Sequence, residues 1–292
     1  MSIFSGSNPL LTTITAAGGG AVYEIERSLR FNSADSAYLN RTPSAAGNLT
    51  TWTWSGWIKK PLITTSTDFR GIFTARSAAN NYTYLDFSDN GIRFANRPPS
   101  GTIAVLQTTP VFRDPSAWFH LVFVYDSANA TSGDTLRLYI NGTRVTTFSS
   151  ATYPSASQAS IINSAVAHYI GYDSQNTAYV DGYLADIHFI DGQALDPTSF
   201  GEFDDNDVWQ PIEYTGTYGT NGFHLPFSDN STAAALGTDT SGNSNTWTVN
   251  NISVAAGSGN DSLVDSPTNG SQTDTGAGGE VVGNYATLNP LT

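Results

Sequence analysis

The segment LTTWTWSGWIKK (residues 49–60) decides the fold class, because its side chains alternate between two faces. One face carries Trp52, Trp54, Gly56 and Ile58, and the other carries Thr51, Thr53, Ser55, Trp57 and Lys59. A period of two is the pattern of a β-strand with one buried face. We therefore predict a half-buried strand across this segment.

A second segment, WFHLVFVYD (residues 118–126), is apolar on both of its alternating faces. Such a segment is expected of a central strand that is covered on both sides. We predict that this strand lies in the middle of a sandwich.

Turn signals between other alternating segments predict hairpins and further strands. Asn90-Gly91 and Asn141-Gly142 each lie between two such segments, and both turn positions can adopt positive φ. Further strands are predicted at HYIGY (168–172), AYVDGYLADIHFI (178–190) and FHLPFSD (223–229). No long stretch keeps an apolar period of 3.6, so helices should be short turns, such as one after Asp196-Pro197. The prediction is an antiparallel all-β protein.

The length and local composition predict one large domain with a segment at each end. A chain of 292 residues is near the upper limit for a single core. Residues 1–22 are small and polar and end in three glycines, as a flexible arm would. We assign residues 23–255 to the domain and residues 256–292 to a Gly/Ser/Asn-rich tail, which is either loose or held by a neighbour.

Charge is divided unevenly along the chain. All 12 basic residues lie between Arg27 and Arg144, so the first 144 residues carry a net charge of +3 and the remaining 148 carry −16. This acidity argues against nucleic acid as a partner, since binding phosphates requires clustered Lys and Arg. The acidic half is either a solvated surface or a face that docks on a basic neighbour.

The sequence also lacks features of export, membrane insertion and disulfide stabilisation. It has no cysteine, and its N-terminus has neither a basic region nor a sustained apolar stretch. No run approaches the roughly 18 apolar residues that cross a membrane. We expect synthesis in the cytoplasm without a signal peptide, no membrane partner, and stabilisation by homo-oligomer contacts in place of disulfides.

An ordered series of segments resembles the laminin-G-like branch of the concanavalin A-like lectin/glucanase fold. The series comprises SLRFNSADSAYLN, WTWSGWIKKP, AWFHLVFVYD, LRLYINGTRV and YIGYDSQNTAYVDGYLADIHFIDGQAL, and it runs from about residue 23 to residue 195. The resemblance implies a jelly-roll sandwich of two antiparallel sheets, one concave and often used to bind glycans. Lectins, glycosidases, adhesion modules and virion parts share this fold, so it does not fix a function.

A second resemblance extends over nearly the whole chain. Three segments are similar in sequence to laminin-G-like structural proteins of tailed phages of marine bacteria: YEIERSLRFNSADSAYLNRTP, DGQALDPTSFGEF and DSPTNGSQTDTGAGGEVVGNYATLNPL. It implies a location in the virion, as a head-decoration, head-fibre or tail-associated subunit. The expected partners are other capsid or tail proteins and further copies of the chain.

The carboxylates and histidines do not form a recognisable catalytic motif. Retaining glycosidases of this fold need two carboxylates about 5 to 5.5 Å apart, typically as Glu-x-Asp-x-x-Glu, and none of the five glutamates has that spacing. Glu24 and Glu26 share a strand face and are interpreted as surface charge. The four histidines lie in apolar runs without a Ser or Asp partner in a sequence motif, so we expect packed or surface imidazoles. The sequence predicts a protein without enzymatic activity.

Two acidic groups are calcium candidates, although no metal is predicted. Related domains hold calcium with the first acid of a Gly-hydrophobe-hydrophobe-Asp-Asp/Glu segment, and here Ala185 replaces that acid and leaves Asp186. The other candidate is the run Asp204, Asp205 and Asp207, which lacks the Gly and distal Glu of an EF-hand loop. An acidic surface turn is the alternative interpretation of the run.

Three aromatic residues, Trp57, Tyr82 and Tyr84, are the glycan-binding candidates, because their rings could stack on sugars if they project from the concave face. The alternative is that they are core or oligomer-contact residues.

The first functional hypothesis is a non-enzymatic virion structural protein whose terminal segments make assembly contacts. The alternative is a carbohydrate-binding adhesin for a host surface glycan, and a glycan-degrading enzyme is the third.

Overall fold

The computed structural model describes residues 23–60, 69–88, 91–99, 101, 104–109, 112 and 114–268. The predicted arm (residues 1–22), residues 269–292 of the predicted tail and the turn residue Asn90 lie outside the described residues.

The regular secondary structure of the described chain is almost entirely antiparallel strands. The strands are β1 Ser28–Phe31, β2 Tyr38–Arg41, β3 Thr51–Lys59, β4 Arg70–Ala78, β5 Asn81–Ser88, β6 Gly91–Arg97, β7 Ala104–Thr108, β8 Trp118–Asp126, β9 Leu136–Ile140, β10 Thr143–Arg144, β11 Phe148–Thr152, β12 His168–Ile170, β13 Tyr172–Asp173, β14 Ala178–Tyr179, β15 Gly182–Asp191, β16 Gly201–Phe203, β17 Trp209–Pro211, β18 Phe223–Leu225, β19 Thr248–Asn250 and β20 Ser262–Leu263. Short 3-10 helices span Ser33–Asp35, Ser132–Asp134, Pro197–Ser199 and Ala234–Gly237. The third follows Asp196, as predicted.

Two eight-stranded sheets form the sandwich. Sheet A has the order β10-β9-β8-β3-β15-β1-β20, with β18 also paired to β15, and sheet B has the order β11-β7-β6-β5-β4-β12-β2-β19. Strands β13 and β14 form one small hairpin, and β16 and β17 form another. The predicted all-β antiparallel jelly-roll sandwich is confirmed.

Both predicted tight hairpins pair as expected. Strands β5 and β6 meet at the Ser88 and Gly91 pair, and β9 and β10 meet at the Ile140 and Thr143 pair. Asn141 and Gly142 have φ of 45° and 74°, the left-handed conformation that a two-residue turn of this twist requires at both positions.

The main core fills the space between the two sheets. Trp52 of β3 stacks on Tyr125 of β8 with ring centroids 5.4 Å apart, and it also contacts Phe94 of sheet B. Phe73 of sheet B contacts Phe189 of sheet A at 5.4 Å. These large rings are fully buried, so they contribute most of the apolar area that holds the sheets together.

The outer face of sheet A is buried as well, which corrects the prediction of a half-buried β3. Seven of the nine residues of β3 are buried, because chain from the region after β15 packs over this face. Trp57 lies with Trp118 and Trp209, and Phe200 lies against the valines of β8. The two-sided burial predicted for β8 is confirmed.

Residues 256–268 belong to the folded domain, although composition assigned them to the tail. Strand β20 pairs with β1, and the Asp261 carboxylate accepts a hydrogen bond from Arg30 Nε at 2.8 Å. The backbone N–H of Ile25 donates to Thr268 Oγ1 at 2.7 Å. Polar contacts order this segment despite its low apolar content, so the domain extends beyond residue 255.

Among the residues that the structure describes, no helix has both the length and the apolar character needed to cross a membrane.

Candidate functional site

The outer face of sheet B carries a group of half-buried tyrosines that contact one another. Alternation on β2 buries Leu39 and leaves Tyr38 and Asn40 half-buried. On β12 it buries His168 and Ile170 and leaves Tyr169 half-buried. Register brings Tyr169 opposite Asn40, so these outward residues lie together.

Four rings meet on this face and are called the tyrosine cluster: Tyr38, Tyr169, Tyr172 and Tyr179. The ring centroids of Tyr38 and Tyr172 are 5.3 Å apart, as are those of Tyr169 and Tyr172. Tyr172 and Tyr179 stack at 4.6 Å. All four side chains are half-buried, so each ring is packed by its neighbours and also presents a surface to solvent.

Polar groups border the tyrosine cluster along strands β2 and β19. Asn250 Nδ2 donates to Asn40 Oδ1 at 2.7 Å, and Thr248 is exposed next to them in the register. Amides and hydroxyls at the edge of an aromatic surface supply both donors and acceptors. The face therefore combines an apolar platform with groups that can hydrogen-bond a polyhydroxylated ligand.

The hairpin that carries Tyr172 and Tyr179 is fixed to sheet B through its backbone. Thr74 Oγ1 donates to the Tyr172 carbonyl at 2.8 Å, and Arg70 Nη1 donates to the Tyr179 carbonyl at 2.7 Å. A Cβ at Gly71 would lie 2.6 Å from the Tyr172 carbonyl oxygen, so only glycine allows this approach. The two hairpin rings are consequently held in place before any ligand arrives.

Of the three predicted glycan-binding residues, only Tyr82 is accessible. Trp57 is 1% exposed and packs on His120, which removes it from any surface and corrects its assignment. Tyr84 is 2% exposed and its O–H donates to Gln175. Tyr82 is half-buried and stacks on Tyr84 at 4.4 Å.

The tyrosine cluster was not predicted. The sequence features that could have indicated it are the alternation in AYLNR (37–41) and the repeated tyrosines of residues 169–179.

The acidic run at residues 204–207 closes a surface turn. The Asp204 carboxylate accepts the backbone N–H groups of Asn206 and Val208 at 2.8 and 2.9 Å. These hydrogen bonds lower the pKa of the Asp204 carboxyl. Asp205 and Asp207 are exposed, so the structure favours the surface-turn interpretation for this run over a calcium site.

Asp186, the other calcium candidate, lies in a cluster with two imidazoles. Its carboxylate faces His224 Nε2 at 2.8 Å and His188 Nε2 at 3.2 Å, and Tyr23 O–H donates to it at 2.8 Å. Burial alone would raise the pKa of Asp186, but the two imidazoles hold it below its usual range. The expectation that the histidines have no Asp partner in a recognisable motif did not anticipate this cluster, because Asp186 is two residues from His188 on β15 and reaches His224 only across the β15–β18 pair.

His120 is hydrogen-bonded to a serine, but the direction of this hydrogen bond does not suit activation of the serine as a nucleophile. Trp209 Nε1–H donates to His120 Nδ1 at 3.0 Å, so the ring proton lies on Nε2, which faces Ser55 Oγ at 2.8 Å. The imidazole therefore donates to Ser55 and cannot accept its proton. Burial lowers the pKa of His120 to about 3.

The four described glutamates, Glu24, Glu26, Glu202 and Glu213, are all exposed. The surface-charge interpretation of Glu24 and Glu26 is therefore consistent with their position. A glycosidase acid needs a raised pKa, which burial usually provides. The exposed glutamates lack this environment.

Comparison with known proteins identifies the family. Residues 32–199, more than half of the chain, match the concanavalin A-like lectin/glucanases superfamily. The chain belongs to this superfamily. A comparison with curated protein sequences found no significant match.

Several solved structures are similar in fold. A heptameric SAP-like pentraxin from Limulus polyphemus is 14% identical with a TM-score of 0.41, and the match covers 60% of this chain and 80% of the pentraxin. Domains LG4-5 of the mouse laminin alpha1 chain are 12% identical with a TM-score of 0.43, covering 72% of this chain and 52% of that one. The tailspike protein 2 enzymatically active domain of bacteriophage CBA120 is 14% identical with a TM-score of 0.43, covering 59% and 26%. This chain thus spans about half of the laminin fragment and a quarter of the tailspike fragment.

Proposed function

We propose that the protein is a non-enzymatic carbohydrate-binding module whose binding face is the tyrosine cluster of sheet B. The observation that carries the proposal is four half-exposed tyrosine rings in mutual contact, bordered by Asn40 and Asn250. Membership of the concanavalin A-like lectin/glucanases superfamily supports a sugar-binding fold. The expected ligand is a glycan on a host cell surface.

The chemistry of the face suits a sugar. The C–H-rich side of a pyranose ring is apolar and stacks on an aromatic surface, while its hydroxyls need donors and acceptors at the border. Rings that are already packed lose little side-chain entropy on binding, so pre-ordering favours affinity. An acidic protein that carries −13 overall is better suited to a neutral glycan than to a polyanionic one.

A binding role without catalysis is supported by two of the described features. The Ser55 and His120 pair is oriented against proton abstraction from serine, and the four described glutamates are exposed. We expect no hydrolysis of algal or bacterial surface polysaccharides. Detectable hydrolysis that is abolished by changing one acid to its amide would contradict this part of the proposal.

A glycan array tests the binding proposal directly. We expect the full chain to bind at least one glycan, and Tyr169→Ala to weaken that binding at least tenfold, because truncating a central aromatic contact typically costs more than about 1 kcal/mol. Phe203→Ser is the matched control, since Phe203 is 52% exposed on the β16–β17 hairpin, outside the tyrosine cluster. Absence of any bound glycan, or equal loss in both variants, would overturn the proposal.

The second candidate is a virion structural subunit, a head-decoration, head-fibre or tail-associated protein of a tailed phage. It is supported by the sequence resemblance of the segments quoted above, including the C-terminal one, to such proteins. A structural observation also favours it: Ile25 and Thr268, close to the two ends of the described chain, are hydrogen-bonded to each other. We infer that the two ends of the domain could serve one shared attachment to a capsid or tail protein or to another copy of the chain.

Truncation tests the virion candidate separately from glycan binding. A chain lacking residues 1–22 should keep its unfolding midpoint and its glycan binding but lose incorporation into particles during infection. Localisation in the virion is read from the purified particles. Full incorporation of the truncated chain, or absence of the intact chain from particles, would contradict this candidate.

A further inference from the structure

On the outer side of sheet A, one carboxylate and two imidazoles converge. The Asp186 carboxylate oxygens, His188 Nε2 and His224 Nε2 present one ligand atom each, all within 4.8 Å of one another. Asp186 and His188 share β15, and His224 lies on β18, directly opposite His188 in the register. The rings of the two histidines are parallel, with centroids 4.2 Å apart.

Local backbone geometry directs Asp186 into this cluster. Its φ is 50°, a left-handed conformation that is uncommon outside glycine, and the β3–β15 register shifts between Ala185 and His188. A bulge of this kind redirects a side chain relative to the regular alternation. Asp186 and His188 are two residues apart, so ordinary strand alternation already puts both on the same side, and the bulge adjusts the direction of the Asp186 side chain.

Hydroxyl groups hold the second nitrogen of each imidazole. His188 Nδ1 lies 2.9 Å from Tyr218 Oη, and His224 Nδ1 lies 2.8 Å from Thr240 Oγ1. A histidine that binds a metal through Nε2 carries its proton on Nδ1 and donates it to an oxygen nearby. Both histidines have that oxygen in place, which fixes Nε2 toward Asp186.

A surface pocket gives access to the cluster. The pocket has a volume of about 220 Å³, and Asp186 and His224 form part of its wall together with Tyr23, Glu24 and Glu26. His188 lies behind, with only 2% of its side chain exposed. An ion can thus reach the carboxylate and His224 from solvent, and a water molecule from the pocket can complete its coordination.

We propose that Asp186, His188 and His224 form a binding site for a divalent transition metal ion of the zinc class. Two imidazole nitrogens and one carboxylate are a common zinc donor set that leaves a fourth position open. Imidazole donors favour zinc, copper, nickel and iron, whereas calcium takes oxygen donors. Nitrogen bonds of about 2.1 Å to one ion require the parallel rings to tilt toward each other, and His224, with 15% of its side chain exposed at the pocket, can make this movement.

The bound ion would link β15 to β18 in a chain that has no cysteine for a disulfide. Binding to the folded state alone stabilises it by mass action, so zinc should raise the unfolding midpoint as its concentration exceeds Kd. Tyr23, which donates to Asp186, lies at the start of the described chain and would be tied to the same site.

The test uses the untagged full chain, stripped with EDTA and titrated with Zn²⁺ by calorimetry. We expect one ion per chain with a micromolar or lower Kd, and His224→Gln should weaken binding at least 100-fold. His168→Gln removes a histidine outside the cluster and should leave Kd unchanged. Kd above 1 mM for the wild-type chain, or equal Kd for wild type and His224→Gln, would overturn the proposal.

A second measurement needs no variant and is therefore independent of folding defects. The chain has four histidines, so ¹⁵N spectra of the imidazoles in the wild-type protein can follow each ring as Zn²⁺ is added. We expect coordination shifts at Nε2 of His188 and His224 only, and visible absorption when Co²⁺ replaces Zn²⁺. Shifts confined to His120 or His168, or none at saturating Zn²⁺, would contradict the assignment.

Discussion

The two outer faces of the sandwich carry aromatic residues in the same kind of position, yet these residues differ in how fully the described chain covers them. On sheet A, Trp57 and Trp118 are covered by Trp209 and form a second apolar core. On sheet B, the tyrosine cluster is half-buried, and within the described residues the β13–β14 hairpin packs over part of the face. An outward aromatic side chain therefore belongs to the core where later chain covers it, and keeps an accessible surface where the described chain leaves it uncovered, as in the tyrosine cluster that we propose as the glycan-binding face.

The largest expected effect comes from removing the C-terminal part of the covering on sheet A. A chain ending at residue 255 loses β20 and the hydrogen bonds of Asp261, Asp265 and Thr268 to the domain. Five of the lost hydrogen bonds join Asp261 to the side chain and backbone of Arg30, Asp265 to Ser28 and Trp118, and Thr268 to Ile25. At about 1 kcal/mol net for each, the free energy of unfolding should fall by roughly 5 kcal/mol. A chain ending at residue 268 is the matched control and should keep its urea midpoint. Equal midpoints for both truncations would contradict the extended domain boundary.

Single substitutions compare the two faces more sharply. Trp209→Ala empties a buried site on sheet A and removes the donor to His120, so it should cost about 3–5 kcal/mol of unfolding free energy. Tyr169→Ala on sheet B should cost less than about 1 kcal/mol because its ring is partly solvated. Urea denaturation measures both. A larger loss in Tyr169→Ala would reverse the comparison.

Acid should lower the free energy of unfolding through His168, the buried neighbour of Tyr169 on β12. Burial lowers the pKa of the neighbouring His168 to about 4, and its Nε2 accepts the backbone N–H of Asn163. A pKa depressed below its unfolded value near 6.5 gives stability that is present above pH 6.5 and is lost as pH falls to about 4. The loss is on the order of 3 kcal/mol. His168→Gln should flatten this part of the pH profile of the urea midpoint, and an unchanged profile would contradict the assignment.

The smallest destabilisation expected on the covered face of sheet A concerns the Asn141-Gly142 turn beneath Trp209. Gly142 has φ of 74°, and a Cβ there would clash with the Trp209 ring, so Gly142→Ala should cost about 2 kcal/mol. A Cβ at Gly133 meets nothing within 4 Å and φ there is not in the left-handed region, so Gly133→Ala should be nearly neutral. If both substitutions are neutral in thermal unfolding, the close packing of Trp209 on this turn is wrong.

Short-range patterns in the sequence predicted most of the sandwich. The alternation in residues 51–59, the two-sided apolar segment at 118–126 and the Asn-Gly turns all depend on neighbours within a few residues, and each pairs as predicted. The covering of Trp57 by Trp209 depends on residues 152 positions apart, which no local pattern contains. Trp57 was a candidate for glycan binding with a core position as the alternative, and the structure favours the core position.

The sites were harder to predict than the strands for the same reason. Asp186 and His188 share a side of β15 through ordinary alternation, but Asp186 and His224 come together only because β15 pairs with β18. Residues 256–268 appeared as a tail because their composition is polar, yet they are ordered by hydrogen bonds to Ser28, Arg30 and Trp118. A segment's apolar content indicates whether it can bury apolar surface, but it does not indicate whether distant residues will hold the segment by hydrogen bonds.

The most direct test of the account is hydrogen–deuterium exchange of the full chain, measured with and without the strongest glycan from the array. The account predicts slower exchange in peptides covering residues 37–41 and 168–180, and no change across residues 198–212 on the covered face. Protection confined to residues 198–212, or no protection at saturating glycan, would contradict the assignment of the outer face of sheet B as the binding face.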